Sequence, residues 1–233
     1  MNDVPPKDNP PDTLRTKAVE DFLKAVYLLQ RQGDAVSTSA LAGELKIQSP
    51  SVTEMAKKLA EHGLLEYERY RGLRLTETGQ QIALEVIRRH RLLEMYLVDA
   101  LGYSWDQVHE EAERLEHVIS RQFVDRIAAA LGDPDHDPHG DPIPAADGSL
   151  PDQNLTSLAD LPLHQTGQIR RITAQSPEAL RYLGQLGLIP GAQVIVTAHD
   201  PFDGPVHLLV DNTPVVVGAE MARHILLTLP GQE

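Results

Sequence analysis

Apolar residues Leu14, Val19, Phe22, Leu23, Val26 and Leu29 recur at three- and four-residue steps. This period predicts a helix from Thr13 to about Gln32, closed by Gly33, with Asp21 and Lys24 off the apolar stripe. Ser37 or Ser39 can cap a short helix over Ala40–Leu45, and a tight turn, Lys46-Ile47-Gln48-Ser49, follows. Pro50 then opens a second helix to about His62, with Val52, Met55 and Leu59 inward. Beyond Gly63, Leu64–Glu68 and Leu73–Thr76 read as short strands joined by Arg69-Tyr70-Arg71-Gly72. Helix, turn, helix and basic hairpin is the order of a winged helix-turn-helix. No proline interrupts Thr76 to Leu131, and two helices are predicted there, Thr76–Ala100 and Ser104–Leu131.

After Gly132 the pattern changes. Asp-Pro-Asp-His-Asp-Pro-His-Gly-Asp-Pro-Ile-Pro is loop material, and residues 145–160 form a polar linker. Short β-prone runs follow at Gln168–Ile172, Gln193–Thr197, Val206–Val210 and Pro214–Val217, interrupted by one helix from about Pro177 to Leu186. The expected fold is mainly α with a small β-barrel. It comprises a winged-helix domain (1–75), a helical domain (76–144), a linker (145–160) and a barrel domain (161–233).

The chemistry concentrates on the helices. On one continuous helix His109, Glu113, Glu116 and His117 would share a face, and His90 and Glu94 form a second i, i+4 pair. Asp137 and His139 add donors on a proline-stiffened loop. Imidazole and carboxylate without sulfur suit a hard or borderline divalent cation. The alternative for each residue alone is a solvated, charged helix face. In the winged helix, Gln48, Ser49, Ser51 and Thr53 are candidates for reading bases, and Lys57, Lys58, Arg69 and Arg71 for holding phosphates.

Net charge of −13 argues against nucleic acid as a partner until its distribution is considered. Residues 1–75 balance at 11 basic and 11 acidic side chains, so the whole deficit lies later. Lys46–Arg74 is locally basic, with six basic residues against four acidic. The absence of cysteine excludes disulfides and thiolate sites. The proline-rich start MNDVPPKDNPPD reads as a disordered lead-in and not as a targeting peptide, and no apolar run is long enough to span a bilayer. A cytoplasmic protein without membrane contact is expected. A metalloenzyme fits poorly: His109-Glu110 meets Glu113 where a zinc peptidase needs its second histidine, and Glu113 is followed at Glu116 where a di-iron bundle needs one.

Several stretches together are specific: Ser49-Pro50-Ser51-Val52-Thr53, Tyr70–Thr76, His90-Arg91-Leu92-Leu93-Glu94, Glu113-Arg114-Leu115-Glu116-His117 and Leu183–Gly191. With these the chain resembles the diphtheria-toxin-repressor family of metal-dependent transcriptional regulators. The resemblance implies a homodimer that binds a double-stranded, palindromic operator when metal-loaded. It makes the winged helix (1–75) the DNA-binding domain, the helical domain (76–144) the metal-binding and dimerisation domain, and the carboxy-terminal domain an SH3-like barrel. It implies a primary site on Asp21, Glu113, Glu116 and His117, and an ancillary site on His90, Glu94 and His109, to which Asp137 and His139 are added. Glu178 falls where the family draws a ligand from the last domain, on a poorly matching stretch. Iron-responsive members carry methionine and cysteine where this chain has Asp21 and Glu113, so Mn²⁺ is the expected ion, with Fe²⁺ or another divalent metal the alternative. Lys24 stands where small manganese regulators supply a further carboxylate, which weighs against a closely spaced two-metal centre here.

Overall fold

The computed structural model describes residues 15–230 apart from 32, 34, 152 and 153. The lead-in expected over residues 1–12, and the start of the first helix at Thr13 and Leu14, lie outside the described residues. The chain divides into two compact units. One comprises residues 1–89, 116–118 and 146–148, and the other residues 90–115, 119–145 and 149–233.

In the first unit Thr16 caps α1 (Lys17–Gln30) by accepting the Val19 N–H. Its inner face buries Val19, Phe22, Leu23 and Val26, but also Glu20 and Lys24. Ser37 likewise caps α2 (Thr38–Glu44) through the Ala40 N–H. Lys46, at a φ of 54°, turns the chain into α3 (Ser49–Glu61), whose buried face is Val52, Ala56 and Leu59. Strands β1 (Leu65–Glu68) and β2 (Gly72–Leu75) pair antiparallel with Leu65 opposite Leu75. Val36 adds a third position by exchanging backbone hydrogen bonds of 3.0 and 2.9 Å with Leu73. One apolar cluster, with Phe22, Leu23, Leu41, Leu59 and Leu73 fully buried, joins the three helices to the hairpin. This is the winged helix-turn-helix that the pattern predicts.

The helix α4 (Glu77–Asp99) is continuous. The segment expected as one helix over Ser104–Leu131 is two: α5 (Val108–Leu115) and α6 (Arg121–Ala130). Val118 and Ile119 are β-branched and disfavour helix, and Ser120 caps α6 by accepting the Phe123 N–H. Glu116 and His117 therefore occupy a turn and do not continue the face carrying His109 and Glu113. In the second unit α4, α5 and α6 share a core of Leu92, Leu93, Ala112, Val124 and Ile127.

The carboxy-terminal part is an antiparallel sheet of six strands in the order β3-β8-β4-β5-β6-β7. These are β3 (Thr156–Ser157), β4 (Thr166–Ile172), β5 (Gln193–His199), β6 (Val206–Val210), β7 (Thr213–Val217) and β8 (Ile225–Thr228). Helix α7 (Pro177–Gln185) follows β4, and the short α8 (Ala219–Arg223) precedes β8. Among the described residues the sheet is open, which corrects the expected closed barrel. Closure would need β7 to pair with β3, and β3 offers two residues. Asp211 and Asn212, at φ of 46° and 70°, form the tight hairpin between β6 and β7. A bulge at Arg170 on β4 interrupts its register with β8. The loop of residues 133–144 docks at that bulge: a Cβ on Gly140 would stand 1.7 Å from the Arg170 carbonyl oxygen.

Gly79, in the first turn of α4, is equally constrained, because a Cβ there would meet the Leu64 carbonyl oxygen at 1.9 Å. Overpacking of this kind costs about 1–3 kcal/mol. Urea unfolding of Gly79→Ala should therefore show a loss in that range, although alanine is otherwise the better helix former.

Candidate metal centre

Two clusters of nitrogen and oxygen donors in the second unit approach Glu94 of α4. On one side its Oε1 lies 3.0 Å from His90 Nε2 and 3.2 Å from His109 Nδ1. Glu113 approaches these imidazoles, with Oε1 4.0 Å from His90 Nδ1 and 3.9 Å from His109 Nε2. On the other side Glu94 Oε2 is 3.6 Å from His139 Nδ1, which is itself 3.8 Å from Asp137 Oδ1. Glu94, Asp137 and His139 are all buried.

The orientation of His139 is fixed by the backbone. Its Nε2 donates to the Trp105 carbonyl at 2.8 Å, so Nδ1 is the atom turned inward, and Nδ1 has no hydrogen-bond partner. Trp105 stacks on the imidazole with ring centroids 5.9 Å apart. Burial alone would lower the His139 pKa, but the Asp137 and Glu94 carboxylates raise it to about 11. Burial raises the Asp137 pKa, with the charges of Asp141 and Glu94 adding to the effect. Glu94 is driven well below the usual carboxylate range, because His90, His109 and His139 overcome its desolvation.

The third group lies in the first unit. Asp21 on α1 meets Glu116 and His117 from the turn after α5. His117 Nε2 is 2.8 Å from Asp21 Oδ1 and 3.1 Å from Glu116 Oε1, yet neither oxygen is in line for a hydrogen bond. Two ligands at right angles on an ion about 2.1 Å away stand about 3 Å apart, so this spacing suits donors to one cation. The other ring nitrogen, Nδ1, is 2.7 Å from Glu20 Oε2, and Arg89 Nη2 donates to Glu20 Oε1 at 3.0 Å. A carboxylate behind an imidazole is the usual outer support of a histidine ligand. Lys24 Nζ donates to both oxygens of Glu116, at 2.9 and 3.0 Å, and Arg89 Nη1 donates to the Glu116 carbonyl at 2.9 Å. Burial opposes protonation of His117, but Asp21, Glu116 and Glu20 raise its pKa to about 10.

The arrangement departs from the sequence expectation in three respects. Glu113 stands with His90 and His109, whereas Asp21 gathers Glu116 and His117. The expected ancillary residues divide between two groups, His90 and His109 with Glu113, and Asp137 and His139 with Glu94. Among the described residues Glu178 joins no such cluster; it is exposed at the start of α7 and pairs with Arg181 at 3.3 Å. Glu20, Arg89 and Trp105 contact the candidate ligands and are not singled out by the sequence pattern. Glu20 follows the apolar Val19 and precedes the candidate Asp21, and no periodic signal sets it apart.

The DNA-facing candidates also have definite settings. Gln48, Ser49, Ser51, Lys57, Lys58, Arg69 and Arg71 are exposed. Thr53 is half-buried and its hydroxyl donates to the Ser49 carbonyl at 3.1 Å, which engages it within the helix. At the hairpin tip Tyr70 is 92% exposed, and the Arg69 guanidinium lies 5.1 Å from its ring.

A winged helix coupled in sequence to buried clusters of nitrogen and oxygen donors defines a metal-dependent DNA-binding regulator. Three family models match: iron dependent repressor, N-terminal DNA binding domain, over residues 15–73; iron dependent repressor, metal binding and dimerisation domain, over 76–145; and the FeoA domain over 156–229. The iron-dependent repressor IdeR of Mycobacterium tuberculosis is 31% identical over 218 residues, covering 88% of this chain and 94% of that protein. A manganese-dependent transcriptional repressor solved in complex with manganese is 38% identical with a TM-score of 0.83, over 91% of this chain and 99% of that one. ScaR with bound Zn²⁺ is 32% identical with a TM-score of 0.76, over 91% and 99%. The chain belongs to the diphtheria-toxin-repressor family of metal-dependent DNA-binding repressors, and these relatives are repressors, not enzymes. No helix among the described residues is long and apolar enough to cross a membrane.

The raised histidines give the metal-free protein a defined pH response. A group whose folded pKa exceeds its unfolded value stabilises fully below the unfolded value and loses that contribution as pH rises through the folded one. For His117 the window runs from 6.5 to about 10. Urea midpoints measured in chelator should fall across this window, and His117→Asn should flatten the fall. With divalent metal present the trend should reverse, because binding to an imidazole releases its proton.

Proposed function

We propose that this chain is a manganese-responsive repressor that dimerises and grips an imperfect palindrome at metal-homeostasis genes when loaded with metal. The observation that carries the reading is the buried Nε2 of His117, which lacks an aligned hydrogen bond yet is flanked at 2.8 and 3.1 Å by carboxylate oxygens of Asp21 and Glu116. A divalent ion, when bound, supplies two positive charges and a coordination geometry that joins its ligands. Asp21 is on α1, which packs into the winged-helix core, so restraining Asp21 against Glu116 and His117 restrains α1. Glu20 and Arg89 hold the imidazole with Nε2 toward the ion. In a dimer this favours a spacing of the two α3 helices that matches successive major grooves, about 34–36 Å. Exposed Leu101, Tyr103 and Phe123 in the helical part support a dimer face there.

Exposure of Gln48, Ser49 and Ser51 at the start of α3 supports their reading base edges, with Thr53 contributing its methyl group. Lys57, Lys58, Arg69 and Arg71 would hold phosphates. His90, Glu94, His109 and Glu113, with Asp137 and His139, would form the ancillary ligands, and Glu94 is shared by both groups. Manganese is favoured because every donor is oxygen or nitrogen, with no thiolate or thioether among them. The iron-dependent relatives keep Fe²⁺ as the second reading.

Asp21→Ala should remove the Mn²⁺ dependence of operator binding and leave weak, salt-sensitive association, measured by anisotropy at fixed ionic strength. Persistence of full Mn²⁺ activation would disprove the assignment of this centre. Arg71→Ala should weaken operator and random DNA alike and reduce the salt slope by about one. Coupling between metal and DNA is reciprocal, so operator should tighten Mn²⁺ binding by the factor that Mn²⁺ tightens operator binding, of order 5–150-fold. A parallel titration with Fe²⁺ under anaerobic conditions distinguishes the two ions by the size of that factor.

A further inference from the structure

We propose that Lys24 is a resident cation of the Asp21–Glu116–His117 centre, holding both oxygens of Glu116 so that the centre admits one divalent ion at reduced affinity. The proposal rests on the reading that these three residues bind such an ion, and it adds a residue that sets how many ions enter and how tightly.

The first support is the position of the ammonium. Lys24 Nζ is nearly equidistant from Glu116 Oε1 and Oε2, at 2.9 and 3.0 Å. Oε1 is at the same time 3.1 Å from the buried Nε2 of His117, which makes no aligned hydrogen bond. Glu116 thus faces the imidazole on one side and a cation on the other. With an ion bound beside His117, Glu116 would lie between two cations, one of them covalently part of the chain.

Burial supplies the second support. Glu116 is 0% exposed and Lys24 is 9% exposed. A lysine side chain loses much rotamer freedom when ordered, and where it can it carries its ammonium out to water. On α1 it is turned inward instead, toward a carboxylate that solvent cannot neutralise. Glu20, the neighbouring buried carboxylate, is held by Arg89 at 3.0 Å, while Lys24 reaches the Glu116 carboxylate at 2.9 Å.

The consequence is a competition. An ion taking Oε1 shares that oxygen with the ammonium and is repelled by it at short range. A second ion on the far side of Glu116 would have to displace the ammonium altogether. Neutralising Lys24 should therefore tighten the single ion, and reversing its charge should open a second position.

The test is a Mn²⁺ titration of the metal-stripped full chain without DNA, by calorimetry with bound ions counted by electron paramagnetic resonance. Asp21→Ala identifies the binding step that belongs to this centre. Lys24→Met should bind Mn²⁺ in that step at least about ten-fold more tightly, Lys24→Glu should gain one ion per chain, and Lys24→Arg should match the parent. If Lys24→Met fails to fold without metal, Lys24→Gln decides, since its amide can still donate to Glu116 without charge. A tightening of about three-fold or more in that variant supports the proposal, and none overturns it. Parent-like affinity and ion count in both Lys24→Met and Lys24→Glu, with the Asp21-dependent step intact, would reduce Lys24 to a packing role and leave the metal reading standing. Loss of no step in Asp21→Ala would remove the metal reading and the proposal together.

Discussion

A carboxylate with no exposed surface must be neutralised by groups within reach, and Glu116 imposes that demand on its surroundings. Lys24 meets it at the side chain, and Arg89 holds the backbone carbonyl of the same residue. Arg89 also neutralises Glu20, which fixes the imidazole of His117 next in sequence to Glu116. The polar residues of the centre are thus positioned by buried ion pairs before any ion enters. Breaking one member of such a pair leaves an uncompensated buried charge, which is far more damaging than the net worth of the pair suggests.

The winged helix was readable because each of its signals is local. Ser37 caps α2, and the apolar stripes of α1 and α3 follow a helical period. The break after Leu115 was not readable, because charged residues at Glu110, Glu111, Glu113 and Glu116 continue a helical pattern through it. What ends α5 is a combination of Val118, Ile119 and the Ser120 cap, each a weak preference alone. The error propagated to the site: one face of a continuous helix would unite Glu113 with Glu116 and His117, whereas the turn divides them. Lys24 was legible as a position off the apolar stripe, but its burial depends on Glu116, distant in the chain. Closure of the sheet was illegible for a similar reason, since strand-like runs specify strands but not which edges meet.

The loop of residues 133–144 illustrates how ligands can be held without secondary structure. Asp137 Oδ1 accepts the N–H groups of His139 and Asp141 at 2.8 and 2.9 Å, which turns the chain and places His139. Arg91 from α4 and Arg171 from β4 both pair with Asp141. The His139 carbonyl accepts the Ile172 N–H at 2.8 Å, and Gly140 permits the close approach to Arg170. The bulge on β4 and the glycine in the loop are complementary features: each leaves backbone accessible where the other needs it. The sheet thereby braces a histidine that it does not itself contain.

Trp105 is the sole tryptophan of the chain, and it stacks on His139 while its carbonyl accepts a hydrogen bond from the imidazole N–H. Indole emission is sensitive to the charge and rigidity of a ring stacked on it. The unlabelled protein therefore carries a native fluorophore beside the cluster of Glu94, Asp137 and His139. Its spectrum is a private record of events at that imidazole, legible without a dye and without DNA.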